Sequence, residues 1–109
     1  MSDFNNFFSE LLKGIETLAG TTLKDYETHA IADGKALINE AKANLQQWAT
    51  EVETGSMTVE DVRYLLLEDE ALGKMKALKQ AGLAQVRIDE FRNSVINYTI
   101  GAITALVKV

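Results

Sequence analysis

The sequence predicts an all-α protein, and three observations carry that prediction. The first is an eleven-residue repeat from Phe4 to Thr58, whose successive blocks are FNNFFSELLKG, IETLAGTTLKD, YETHAIADGKA, LINEAKANLQQ and WATEVETGSMT. Its first column is Phe4, Ile15, Tyr26, Leu37 and Trp48, its fifth is Phe8, Ala19, Ala30, Ala41 and Val52, and both are wholly apolar. The ninth column, Leu12, Leu23, Gly34 and Leu45, fails only at Ser56. Eleven residues in three turns is about 3.67 per turn, close to the natural period of an α-helix, so a single apolar stripe runs along the helix with little drift. The second observation is the absence of proline, which leaves every backbone N–H free to serve a helix. The third is composition: 47% hydrophobic and 25% charged residues are the proportions of a folded chain.

The elements follow in order. Ser2 or Asp3 caps a first helix that carries Phe4, Phe7, Phe8, Leu11, Leu12, Ile15, Leu18 and Ala19 at helical spacing. Gly20, Thr21 and Thr22 resemble a stop and a new N-cap, with Asp25 three residues after Thr22. The repeat nevertheless passes through Gly20 in phase, as it would in one helix of roughly 70 Å. A bend or short break is the better expectation, because a compact chain of this length has a radius of gyration near about 13 Å. Thr54, Gly55 and Ser56 end the repeat, and Thr58 with Asp61 opens the next helix ahead of Val62, Leu65 and Leu66. A further helix carries Leu72, Met75 and Leu78 and ends near Lys79, before Gly82. The last segment places Leu83, Val86, Phe91, Val95, Tyr98, Ala102 and Leu106 near one face. From Val95 onward its apolar and small residues occupy nearly every side, as in a helix buried all round.

At 109 residues the chain fits a single helical domain. The expected plan is three or four helices: repeat-bearing helices over about residues 3–53, a turn near 54–57 and a C-terminal helical pair over about 58–107. They would form a bundle or an elongated hairpin. The packing seam is assigned to Phe4, Phe8, Leu12, Ile15, Leu23, Tyr26, Leu37, Leu45, Trp48 and Val52. The three repeat columns span an arc of only about 65°, and the tenth column, Lys13, Lys24 and Lys35, lies toward the opposite side and faces water. Gly34 is the informative interruption. A mid-helix glycine costs about 1 kcal/mol against alanine and is best tolerated where another backbone or side chain comes close.

Two features point to contacts with other chains. Phe4, Phe7 and Phe8 place three of the four phenylalanines in the first eight residues, as an anchor on the core or as an aromatic plug into a partner. In SVINYTIGAITALVKV, Asn97, Gly101 and Ala105 form a small-residue edge of the kind that brings helices together. Phe7, Ile96, Ile100, Gly101, Ile103, Ala105 and Leu106 are accordingly the candidate oligomer interface.

The remaining chemistry is sparse. The absence of cysteine removes disulfides, thiolate metal sites and cysteine nucleophiles. His29, the single histidine, has Asp25 and Asp33 one turn to either side but lacks a second imidazole, and reads as a solvated surface residue. Glu68, Asp69 and Glu70 form an acidic knot on a solvated face, with Glu70 and Lys74 an i,i+4 pair. No GxSxG, phosphate-binding glycine loop or HExxH pattern occurs. The net charge of −5 opposes binding to a phosphate backbone, no run is long enough to span a membrane, and MSDFNNFFSE lacks the pattern of a secretory signal. The expectation is therefore a non-enzymatic, cytoplasmic helical protein without cofactor, metal or nucleic-acid partner. It would be a small self-associating subunit or adaptor of a larger protein assembly, with a viral or phage particle as one setting. The alternative is a lipid-surface or hydrophobic-ligand protein, since eleven-residue helical repeats also occur in apolipoprotein-like proteins, which this chain resembles in period alone.

Overall fold

In the computed structural model, residues 3–68 and 75–107 are described, and among them every regular element is helical. The order is α1 (Asp3–Thr22), a 3-10 turn (Lys24–Tyr26), α2 (Glu27–Glu40), α3 (Lys42–Thr54), α4 (Val59–Glu68), α5 (Lys76–Gln80) and α6 (Gln85–Val107). Leu72, Asp69, Glu70 and Lys74 lie outside the described residues.

Among the described residues there are six α-helices against the expected three or four, because the repeat region breaks twice and α5 is short. The first break is not at Gly20. Helix α1 continues through it, and the hydroxyls of Thr21 and Thr22 donate back to the carbonyls of Thr17 and Leu18, which makes them helix-interior residues instead of caps. The chain turns at Leu23 (φ −132°, ψ 58°) and passes through the 3-10 turn into α2. The second break is at Ala41, where no glycine or proline signals it; its N–H reaches the carbonyls of both Leu37 and Asn39. The first break lays α1 against α2, and α3, beyond the second, packs on α6, so the apolar stripe is covered from within the chain. The Cα radius of gyration is 13.7 Å.

The glycines at the other turns act as expected. Gly55 (φ 85°) ends α3 and Gly82 (φ 89°) follows α5, both in the left-handed region. After α3, Gly55 N–H donates to the Val52 carbonyl and Ser56 N–H to that of Glu51. After α5, Gly82 N–H donates to Lys79 and Leu83 N–H to Leu78, with the side chains of Leu78 and Leu83 both buried. Helix α4 opens with a reciprocal capping pair, Thr58 N–H to Asp61 Oδ2 at 3.0 Å and Asp61 N–H to Thr58 Oγ1 at 3.1 Å.

Helix α6 is the hub, touching α1, α3, α4 and α5. Its buried face is Ile88, Phe91, Val95, Ile96, Thr99, Ile100 and Ile103. The expected face was rotated from this one: Val86 is 69% exposed and Tyr98 42%. Nor is the helix buried all round, since Asn97, Gly101, Thr104 and Ala105 are exposed. Thr99 is tolerated in the core because its hydroxyl donates to the Val95 carbonyl at 2.8 Å.

Gly34 lies where three helices converge. A Cβ built there would meet Ile15 Cγ2 of α1 at 2.6 Å and the Phe91 ring of α6 at 3.6 Å. Ile15 is fully buried and stiff at χ1, so it has little room to yield. Gly34→Ala is expected to lose about 1 kcal/mol or more, against the gain of about 1 kcal/mol that alanine brings to an open helix position. Gly101, where an added Cβ would have no described residue within 4 Å, supplies the contrast. In dilute solution Gly101→Ala should raise the urea midpoint while Gly34→Ala lowers it; two midpoints rising together would show that the α1–α2 contact is looser than described.

Candidate functional site

Helix α1 directs Phe4, Phe8, Leu11 and Ile15 inward, each 5% exposed or less. Phe4 and Phe8 are thus core anchors, and Lys42 at the start of α3 stands 4.9 Å above the Phe8 ring. Phe7 differs. It is half-buried, its ring centroid 5.4 Å from that of Phe4, and it faces α6.

Between these two helices runs an open groove of about 530 Å³. Phe7 and Leu11 form the α1 wall, Tyr98, Ala102, Ala105 and Leu106 the α6 wall, and the polar Asn6 and Glu10 complete the lining. The Tyr98 ring lies over the backbone of α1 at Gly14, where an added Cβ would collide with the phenol oxygen. Gly14 thereby lets the two walls approach at one end. Glu10 is weakly paired with Lys13 at 3.7 Å, and both side chains are largely exposed, so the pair adds little to stability.

The candidate interface residues separate into two groups. Ile96, Ile100 and Ile103 are 4% exposed or less and belong to the core of the single chain, which removes them from any contact surface. They point inward because α6 is wrapped by four other helices. Phe7, Ala105 and Leu106 meet at the groove, and Gly101 faces open space on the adjoining surface of α6. Of the assigned seam, Phe4, Phe8, Ile15, Leu23, Leu37 and Leu45 are buried, while Leu12, Tyr26, Trp48 and Val52 are half-buried against the same core. Lys13 and Lys24 are exposed; Lys35 is half-buried and forms an ion pair with Glu16 across the α1–α2 contact, so it does not simply face water.

His29 is exposed on α2, and Asp33, one turn on, is turned away from it into the protein. The two Asp33 oxygens accept hydrogen bonds from the N–H groups of Ala77 at 3.0 Å and Leu78 at 2.7 Å. Among the described residues, no group of three His, Cys, Asp or Glu side chains is placed to hold a metal ion. No described helix is long and apolar enough to cross a membrane. Compared with known proteins, this chain matches no family model, no curated protein and no solved structure. The site therefore has to be read from its own geometry, which offers apolar area, a phenol hydroxyl and one exposed carboxylate.

Sequence reasoning placed Leu11 on the apolar face of α1 but outside the packing seam, and it missed Ile38 and Ala49 as core residues and the Tyr98–Gly14 contact. The adjacent pairs Leu11–Leu12 and Leu37–Ile38 were the available sign that the buried arc is wider than the repeat columns. It also missed the exposed Tyr64, Leu65 and Leu67 on α4. A hydrogen bond with the Glu68 side chain and its negative charge push the Tyr64 phenol above its usual value of 10.0.

Tyr98 is exposed, so its ring can turn aside where the buried Ile15 cannot. Gly14→Ala is expected to rotate Tyr98 off α1 and reshape the groove while stability stays within about 1 kcal/mol. NMR shifts of the Tyr98 ring protons should move with an unchanged urea midpoint; a fall as large as that of Gly34→Ala would mean the ring is fixed.

Proposed function

We propose that this chain is a non-enzymatic helical interaction protein, a small self-associating subunit or adaptor of a larger protein assembly, with the α1–α6 groove and the neighbouring Gly101 edge as its contact surface. The observation that carries the reading is Gly101. A glycine inside a helix costs about 1 kcal/mol relative to alanine, and at Gly34 and Gly14 a close neighbour in the same chain accounts for it. At Gly101 no described residue lies within 4 Å of an added Cβ, although Phe7, Ala105 and Leu106 present apolar surface in the adjoining groove. A second helix brought to this face would find small residues that permit close approach and an aromatic ring to pack on.

On this reading the eleven-residue repeat is an intramolecular packing seam, used to fold α1 against α2 and to seat α1 and α3 on α6. The proposed setting is a cytoplasmic or particle-borne assembly. A second reading, hydrophobic-ligand or lipid-surface binding, is favoured by one observation: the groove volume of about 530 Å³ falls within the range of small-molecule sites.

Light scattering coupled to size exclusion tests the first reading. The wild-type chain should show a mass that rises above one chain with concentration. Gly101→Leu should lower that mass while leaving the thermal midpoint of the dilute protein nearly unchanged, since a Cβ at this position has no described atom within 4 Å. A single-chain mass at every concentration would end the self-association reading. Flotation with anionic and neutral liposomes tests the second, and protein that rises with the vesicles and gains helicity would promote it over the first.

A further inference from the structure

Helix α5 is too short to stand alone. Five residues give little more than one turn, and isolated helices of that length do not persist in water. Its N-terminus also begins badly: Met75, which precedes it, holds φ 40°, a left-handed conformation that a residue with a side chain rarely adopts, and contributes no side-chain cap. The missing cap comes from α2. Asp33, 8% exposed, turns both carboxylate oxygens onto the free N–H groups of Ala77 and Leu78. Among the described residues these are the hydrogen bonds that tie α5 to another helix. Its remaining attachment is apolar, through the buried Met75, Leu78 and Leu83, and its contacts go chiefly to α2 with few to α6. At the other end, the turn at Gly82 depends on a positive φ.

We propose that residues 75–83 form a latched strap, which opens as a unit separate from the rest of the bundle and whose catch is the Asp33 carboxylate. Opening frees the buried Leu78 and uncovers the side of α2 that carries Asp33, a surface distinct from the α1–α6 groove. The device rests on the geometry at Asp33 and does not depend on what the groove binds.

Native-state hydrogen exchange tests it. In the wild-type chain, at denaturant too dilute to unfold the bundle, the amides of Ala77 to Leu83 should exchange through a common opening with weak denaturant dependence, while core amides of α1 and α6 stay protected. Asp33→Ala should speed exchange of the strap amides roughly ten- to hundredfold, the scale expected for losing hydrogen bonds to a charged group, with α1 and α6 unchanged. Asp33→Asn, which keeps one acceptor oxygen, should fall between. Gly82→Ala strains the far end of the strap without touching Asp33 and should accelerate the same amides. The proposal is overturned if the strap and core amides of the wild-type chain open together, or if Gly82→Ala and Asp33→Asn accelerate α1 and α6 by the same factor as residues 77–83. It is equally overturned if neither substitution changes the strap.

Discussion

The contact of Gly34 with Ile15 is the constraint on which the arrangement of this protein depends. Without a side chain at position 34, α2 can lie close enough to α1 for their apolar stripes to cover each other, and Phe91 of α6 closes the third side at ordinary van der Waals distance. The neighbouring residue, Asp33, faces α5 from the same turn. Two consecutive residues of α2 therefore touch three other helices, and the first half of the chain is joined there to the second. The burial is correspondingly dense: Ala30, Ile38 and Ala41 of the same region have no exposed surface.

Much of the helical character was legible because it rests on local signals. The repeat columns fall at buried or half-buried positions until Ser56, and the Thr58–Asp61 pair and the glycines at 55 and 82 mark real helix ends. What could not be read was where the long amphipathic region bends. Gly20, a conformationally permissive residue, is helical, whereas Leu23 and Ala41 carry the breaks. Neither residue has an intrinsic reason to leave a helix, so their geometry is imposed by the need to cover an apolar stripe within one chain. The orientation of α6 was misjudged for a related reason. Apolar residues occupy most of its circumference, so periodicity alone cannot say which of them meet α1, α3, α4 and α5 and which are left outside.

The groove was half legible. Phe7, Ala105 and Leu106 stood out by composition, but the isoleucines assigned with them are core residues, and Tyr98 and Leu11 enter the site through packing that no spacing rule reports. On α6 the division is chemical as well as geometric. The isoleucines of α6 turn toward the other helices, and the small residues Gly101 and Ala105 turn outward. A helix that needed only to complete a private core would gain from longer polar side chains on that outer side.

The reach of Asp33 across 44 residues to Ala77 has a consequence for what secondary structure means in this chain. Residues 76–80 carry Lys, Ala, Leu, Lys and Gln, a good helical composition but too brief to nucleate a helix. Their conformation is written mostly at position 33, in a different helix. A change in the register of α2 would thus appear as a change of secondary structure in a distant segment whose own sequence is untouched, and α5 is helical by tertiary instruction.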